Sequence, residues 1–285
     1  MSAKQRPPVI RVDRPVPSEL ALFQDPWVPF PEGMAVMKEM KSLMERPDEG
    51  RPKNLALLAD PSFGKSHLLD HFADCFPDII EPAPRIQVLS IELPPEADSA
   101  KLLREMLHKL SVSFSFRTPP DELLRKVIIH LHSLSVALII FDEFHNALSG
   151  RRDRALGIVQ TLRAISNRGQ RPIVVAGTKK VEEVLRYDEQ LNERFLKWHL
   201  PRWDDVAYVK KLLSTFEYSF DAQSTGKLGT DEIAKKVISL SGGRPGAIAN
   251  LLRDSRKEAL RTNGGEINDT VLDECAKKLV GQTIA

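Results

Sequence analysis

The stretch from Asn54 to Phe72 constrains this chain more than any other, because three local preferences follow one another there without a gap. It reads N-L-A-L-L-A-D-P-S-F-G-K-S-H-L-L-D-H-F. The apolar run Leu55-Ala56-Leu57-Leu58 predicts a buried strand, Ala59 to Gly64 a loop, and Lys65 to Phe72 a helix with Leu68, Leu69 and Phe72 inward. The loop closes on Gly64-Lys65-Ser66, the second half of the pattern G-x-x-x-x-G-K-[ST]. In that pattern backbone N–H groups cradle phosphates, Lys reaches the β/γ oxygens and Ser holds Mg²⁺. The expected nucleotide contacts are therefore Asp60, Pro61, Ser62, Phe63, Gly64, Lys65, Ser66 and His67. Ala59 stands where the pattern has its first Gly. Ala is the smallest residue with a Cβ, so the change restricts φ/ψ modestly and adds no bulky clash.

A chain of 285 residues with 42% hydrophobic content is long enough to bury a sizeable core and carry a smaller appendage. Its longest apolar run, around Val136 to Phe141, falls far short of the roughly 18 residues that span a bilayer, and no apolar signal core opens the sequence. The expectation is a soluble cytoplasmic protein without a membrane partner. Cys75 and Cys275 have neither CxxC spacing nor a nearby His cluster, so both are expected as reduced core thiols, not as a disulfide or zinc site. The formal charge of +2 neither demands nor excludes nucleic acid, and any DNA site has to be a local stripe.

Residues 1–31 are punctuated by Pro7, Pro8, Pro15, Pro17, Pro26, Pro29 and Pro31, which denies them regular structure and makes them an arm. Phe23, Trp27 and Phe30 near its end either anchor the arm on the core or, for Trp27, contact an adenine base. Met34, Met37, Met40, Leu43 and Met44 are spaced as one packed face of a helix from Glu32 to Glu45. Further on, a strand is expected over Arg85–Leu93, helices over 97–110 and 120–132, a strand over Val136–Phe141 and a helix over Arg151–Arg168 with Leu156, Val159, Leu162 and Ile165 on one side. Strands over 173–176 and 196–200 follow. Strands that are apolar throughout suit a parallel sheet covered on both faces, so residues 32–200 predict a three-layer α/β core. Beyond Pro201 the pattern becomes helical over 204–218, 229–240, 245–262 and 268–279, a small helical domain spanning 201–285.

The strand at 136–141 ends in Asp142-Glu143. In a phosphate-loop NTPase an acid at that position orders Mg²⁺ opposite the loop Ser, and a carboxylate one residue on polarises the attacking water. Asp142 and Glu143 take these roles, with the Arg85–Leu93 strand expected as the intervening strand between the two motifs. Thr178 ends the next strand, where its hydroxyl either touches the γ-phosphate or caps the following helix. His145 and Asn146 are expected to be mainly structural, with a phosphate-sensing role as the alternative. Arg194, just before the last strand, is placed as an arginine reaching across a subunit interface, with Arg186 and Arg202 as competitors; a surface salt bridge is the bland alternative. Arg244 opens a helix of the second domain, where it either reports nucleotide state or belongs to ordinary helix-start chemistry.

With these residues in place, the chain resembles the TniB family of transposition AAA+ ATPases, relatives of TnsC and more distantly of IstB and the Orc/Cdc6 initiators. The likeness runs from about Trp27 to Arg253. It is carried by Trp27-Val-Pro-Phe-Pro31, Arg51-Pro-Lys-Asn-Leu55, the phosphate loop, Phe141-Asp-Glu-Phe-His-Asn146, Gly177-Thr178, Asn192-Glu-Arg-Phe195 and Leu200-Pro-Arg-Trp203. The resemblance implies an AAA+ P-loop fold with a helical lid, ATP and Mg²⁺ as cofactors, and a self-assembling ring or filament on double-stranded DNA. It further implies recruitment of a transposase, in company with a target-selection protein. Lys65, Ser66, Asp142, Glu143, Thr178 and Arg194 inherit the roles given above. Two positions depart from the pattern: Ala59 bears on turnover rate, and the initiator-like lid arginine aligns nearer Pro245 than Arg244. Candidate DNA donors are Lys101, Arg104 and Lys109 on one helix, and Arg151, Arg152 and Arg154 after the acid pair; a solvated helix face explains either cluster equally. Two other functions compete with DNA-stimulated hydrolysis: an ATP-binding adaptor that turns over little, and a replication initiator or helicase loader.

Overall fold

The structure is a computed structural model that describes residues 27, 29–45, 52–220, 228–262 and 266–282. The arm up to Pro26, Val28, Arg51 and the loops at 224–226 and 263–265 lie outside the described residues. Five parallel strands, β1 (Asn54–Leu58), β2 (Val88–Glu92), β3 (Leu138–Asp142), β4 (Ile173–Gly177) and β5 (Phe195–His199), form one sheet in the order β2-β3-β4-β1-β5. The strand that separates β1 from β3 in space is therefore β4. The strand intervening in sequence, β2, lies at the sheet edge.

Side chains alternate across this sheet, and both faces are covered. Ala56, Leu58, Ile139, Phe141, Ile173 and Val175 face one layer, made by α3 (Ser99–Lys109), α4 (Pro120–Ser133), α5 (Arg152–Ala164) and the short α6 (Lys180–Leu185). Leu55, Leu57, Leu138, Ile140, Val174 and Ala176 face the other, made by α1 (Pro31–Glu45) and α2 (Lys65–Asp74). That is why β1 and β4 read as continuous apolar runs. A one-turn helix, α7 (Glu189–Asn192), leads into β5.

Three expected placements need correction. The buried stripe of α1 is Gly33, Val36, Met40 and Leu43; Met34 is 48% exposed, and Met37 and Met44 only flank the core. The stripe of α5 runs through Ala155, Ile158, Val159 and Leu162, leaving Leu156 exposed, and the helix ends at Ala164 in a π turn over Ile165–Gly169 in place of continuing to Arg168. Cys75 is exposed, whereas Cys275 is buried. Among the described residues no helix is long and apolar enough to cross a membrane.

After Leu200 four helices, α8 (Val206–Phe220), α9 (Asp231–Ser241), α10 (Pro245–Thr262) and α11 (Asp269–Gln282), pack around a separate apolar cluster that includes Leu213, Val237, Ile248, Leu252 and Leu272. Thr230 caps α9 by accepting the Ile233 N–H at 3.3 Å, and Gly242 ends it with φ 63°. Trp203 and Tyr208 belong to this cluster and to the core cluster at once. Between them and the start of α1 sits Phe30, whose ring lies 5.2 Å from that of Trp203, 6.3 Å from Tyr208 and 5.9 Å from Trp27. Burial in this aromatic knot raises the Tyr208 phenol above its ordinary pKa, with a smaller push from Glu32.

Phe30 is 5% exposed, so Phe30→Ala is expected to destabilise the protein by roughly 3–5 kcal/mol. Urea unfolding followed by Trp fluorescence measures it; an unchanged midpoint would remove Phe30 as the joint between core and helical domain.

Candidate nucleotide-binding site

The loop after β1 is set by its own backbone. Ala59 N–H donates to the Gly177 carbonyl at 3.1 Å, fastening the loop to the end of β4. Ala59 has no positive φ; the left-handed residues are Ser62 (φ 65°) and Gly64 (φ 77°). The backbone freedom a glycine supplies is thus used at Gly64, the N-cap of α2, and the absence of the first Gly leaves no strain at Ala59. Phe63 is buried in the core, while Asp60, Pro61, Ser62, Ser66 and His67 are exposed along the loop and the first turn of α2. The N–H groups of that turn have no earlier helical carbonyl to bond, which with the helix dipole makes an anion site.

Lys65 is 6% exposed, and its ammonium donates to the carbonyls of Ala59 at 2.9 Å and Asp60 at 3.1 Å. Burial lowers its pKa, against the opposing pull of Glu143, Asp142 and Asp60. A phosphate at this position would exchange these neutral partners for a charged one.

Asp142 closes β3, two strands from β1 in the sheet, which puts their ends roughly 10 Å apart. Its Oδ1 accepts the Glu143 N–H at 2.7 Å. Glu143 itself is left-handed (φ 52°, ψ 32°), and its Oε2 lies 3.3 Å from His145 Nδ1. A bulky residue held there marks a backbone constrained by its surroundings. Asn146 is structural, donating from Nδ2 to the Leu93 carbonyl at 2.8 Å and so tying the turn after β3 to the end of β2.

Thr178 follows β4, the strand between those of the loop and of the acid pair. Its Oγ1 is buried and without a hydrogen-bond partner among the described residues, and the cap position of α6 is Lys179, with no side-chain cap bond. The helix-capping alternative is thereby corrected. An orphaned hydroxyl between Lys65 and Asp142-Glu143 fits a phosphate or water that it would bond. Among the described residues no three His, Cys, Asp or Glu side chains converge on a metal position, so a divalent ion at Ser66 and Asp142 would need phosphate oxygens to complete its shell.

Beside the loop, an apolar pocket is lined by Trp27, Phe63, Gly64 and His67 on one side and by Trp203, Phe216, Pro245, Gly246 and Ala249 on the other. Trp27 stacks on His71, with ring centroids 4.2 Å apart and planes at 14°, so it anchors the chain onto α2 and also lines the pocket. Burial, with a second contribution from His67, lowers the His71 pKa. The helical domain closes directly on the loop, where Gly246 N–H donates to the Ser62 carbonyl at 2.7 Å. A Cβ on Gly246 would stand 2.9 Å from that oxygen. Arg244 is exposed two residues earlier, its Nε bonded to the Ser241 carbonyl at 3.0 Å.

The sequence matches the family described as Bacterial TniB protein over residues 20–205, most of its length. The chain belongs to the TniB family. No curated protein matches it. Among solved structures, the ORC2 protein of Aeropyrum pernix (ADPNP-ADP complexes) is similar over 90% of this chain and 71% of that one, at 15% identity and TM-score 0.66. The Pyrobaculum aerophilum Cdc6p structure covers 90% and 70%, at 15% identity and TM-score 0.63. The Aeropyrum pernix ORC1 protein in complex with DNA covers 91% and 68%, at 14% identity and TM-score 0.63. The fold of this TniB protein is thus that of the P-loop AAA+ ATPases.

The other singled-out residues lie elsewhere. Arg194 is half-buried at the opposite end of the sheet from the loop: its carbonyl accepts the Asn54 N–H at 2.9 Å, and its Nη1 donates to Asn167 Oδ1 at 2.8 Å. Arg186 pairs loosely with Glu182, and Arg202 is exposed near the helical domain. The two basic clusters meet through Glu96, whose carbonyl accepts from Lys101 Nζ at 3.2 Å and whose carboxylate lies 4.0 Å from Arg154. Two members need correction as free donors. Arg104 donates to the Phe116 carbonyl at 3.1 Å with its Nε buried, and Arg152 lies over the Tyr187 ring at 5.6 Å. Lys109 and Arg151 are exposed.

Ala59→Gly is expected to leave ATP affinity unchanged while lowering stability by roughly 0.5–1 kcal/mol, since it only adds freedom to the unfolded chain. Nucleotide titration with thermal unfolding checks it, and a tighter nucleotide would show that Ala59 does strain the loop.

Proposed function

We propose that this TniB protein hydrolyses ATP to ADP and phosphate and uses the cycle to regulate DNA transposition. The observation that carries the reading is the convergence of Lys65, the orphaned Thr178 hydroxyl and the Asp142-Glu143 pair at the ends of three adjacent strands. Backbone N–H groups of the loop from Ser62 to His67 hold the phosphates, with Asp60 and Pro61 shaping its start; Lys65 exchanges its carbonyls for β/γ oxygens, and the base lies against Trp27 and the helical lid, with Arg244 at the lid's edge. Ser66 and Asp142 would hold Mg²⁺, which would supply charge neutralisation at the phosphates. Glu143 polarises the attacking water and takes its proton, a role its fixed backbone favours. Thr178 hydrogen-bonds the γ-phosphate or that water. Arg194 is too far along the sheet to act in its own site and serves a neighbouring copy, so the working form is a ring or filament. The same reading divides the chain into an arm, 1–31, an ATPase core, 32–200, and a lid, 201–285.

Duplex DNA is the expected track. Lys101 and Arg154 lie together about Glu96, with Arg151 next to them and Lys109 roughly 12 Å along α3, and repetition in an oligomer makes these a stripe. Family membership supports recruitment of a transposase, alongside a target-selection protein, to that assembly. The adaptor reading, ATP binding with little turnover, draws on the 3.3 Å contact of Glu143 with His145, which holds the base aside.

Glu143→Gln is expected to abolish phosphate release while ATP binding stays within about twofold, since charge at this carboxylate serves the water and not the metal. Hydrolysis that persists in this variant overturns the base assignment; wild-type protein that binds ATP without turnover on or off DNA supports the adaptor.

Replacing Lys101 and Arg154 together by Ala is expected to weaken duplex binding at every sequence and to reduce the slope of log affinity against log salt by roughly 2. An unchanged slope places the DNA contact elsewhere.

A further inference from the structure

We propose that Arg168 is a second arginine that this chain donates to the nucleotide of a neighbouring copy, beside Arg194. The inference rests on the ATPase reading above. α5 passes at Ala164 into the π turn Ile165–Gly169, which keeps Ile165, Ser166 and Gly169 buried and turns Asn167 and Arg168 out to solvent. Such turns are uncommon and frequent at functional positions. The backbone here is braced, since His132 Nε2 lies 3.1 Å from the Arg168 carbonyl.

The π turn forms one wall of a cleft of about 490 Å³ lined by Leu156, Gln160, Arg163, Asn167, Arg168 and Tyr187. The cations in and beside it differ in how they are engaged. Arg163 is paired with Asp188 at 2.9 Å. Arg194 is steadied by Asn167 Oδ1 at 2.8 Å, from the residue next to Arg168. The Arg168 guanidinium has no hydrogen bond or ion pair among the described residues. A guanidinium carried on a braced turn, beside a second one already positioned, is suited to bidentate capture of phosphate oxygens.

Those oxygens cannot be the chain's own. The π turn leads into β4 at the Asn54 end of the sheet, where Ile173 N–H donates to Asn54 Oδ1. The phosphate loop leaves β1 at its other end, and five residues of strand separate the two by roughly 16 Å. The occupant is a second copy presenting its loop, because charge matches: a triphosphate with Asp142 and Glu143 beside it stays negative even after Lys65 and a divalent ion are counted. Arg168 and Arg194 supply the missing positive charge from outside.

The test mixes two variants. Arg168→Ala alone is expected to lose about tenfold or more of the turnover, while the separated protomer binds ATP within about twofold of wild type. Lys65→Ala alone is inactive but carries both arginines. Mixed, the two are expected to regain hydrolysis, because the Lys65→Ala copy offers Arg168 to the intact loop of its neighbour; a residue needed only for folding its own chain is not rescued this way. Turnover by Arg168→Ala equal to wild type overturns the proposal and leaves the ATPase reading standing. So does a mixture that stays at the Arg168→Ala level, and the cleft then belongs to a different partner, such as an acidic protein segment. If wild-type protein does not hydrolyse ATP, the ATPase reading fails, and Arg168 is scored by self-association. The proposal expects Arg168→Ala to lose any preference of assembly for ATP over ADP, and a retained preference overturns it.

Discussion

The site depends on the hydrogen-bonded succession of three strands, β3, β4 and β1, each buried on both faces. A strand covered by apolar layers above and below has no room to slip, because a one-residue shift would reverse every side chain between the two clusters. The carboxyl ends of these strands therefore come out level, which fixes the position of the residues just past each of them: the loop after Leu58, Thr178 after Gly177, and the acids at the end of β3. The polar residues sit where the sheet stops needing apolar ones, and Asn54, at the other end of β1, is the buried polar exception that bonds β4 through its side chain.

Much of this was legible in the sequence. Continuous apolar runs placed β1, β3 and β4 within a residue or two, and Gly64-Lys65-Ser66, Asp142-Glu143 and Gly177-Thr178 marked the three strand ends. Sheet order was not legible, since hydrophobicity says that a strand is buried and not which strand is beside it; the intervening partner proved to be β4. The packed faces of α1 and α5 were read correctly at Met40 and Leu43 and at Val159, Leu162 and Ile165 but carried one residue too far on each helix, and only the neighbouring layers choose between Met34 and Val36 or between Leu156 and Ala155.

What sequence reasoning passed over is backbone geometry. Arg168 read as the last turn of a helix; Ser166-Asn167-Arg168-Gly169-Gln170 ahead of a strand was the available signal that the helix gives way. Ser62 and Glu143, both left-handed without being glycine, carry no compositional mark at all. Ala59 looked like the weak point of the loop, and the structure relieves it by assigning the unusual dihedrals to its neighbours.

The joint between core and lid combines two kinds of contact with different mechanical character. Trp203, Tyr208 and Phe30 form an oily bearing, whose attraction depends on area and barely on angle. The Gly246 to Ser62 bond is directional and weakens steeply once donor and acceptor fall out of line. A lid mounted this way can swivel at little cost while a single peptide contact registers whether it has moved. Because that contact is made to the loop after β1 itself, the shape of the loop and the angle of the helical domain are coupled through one hydrogen bond.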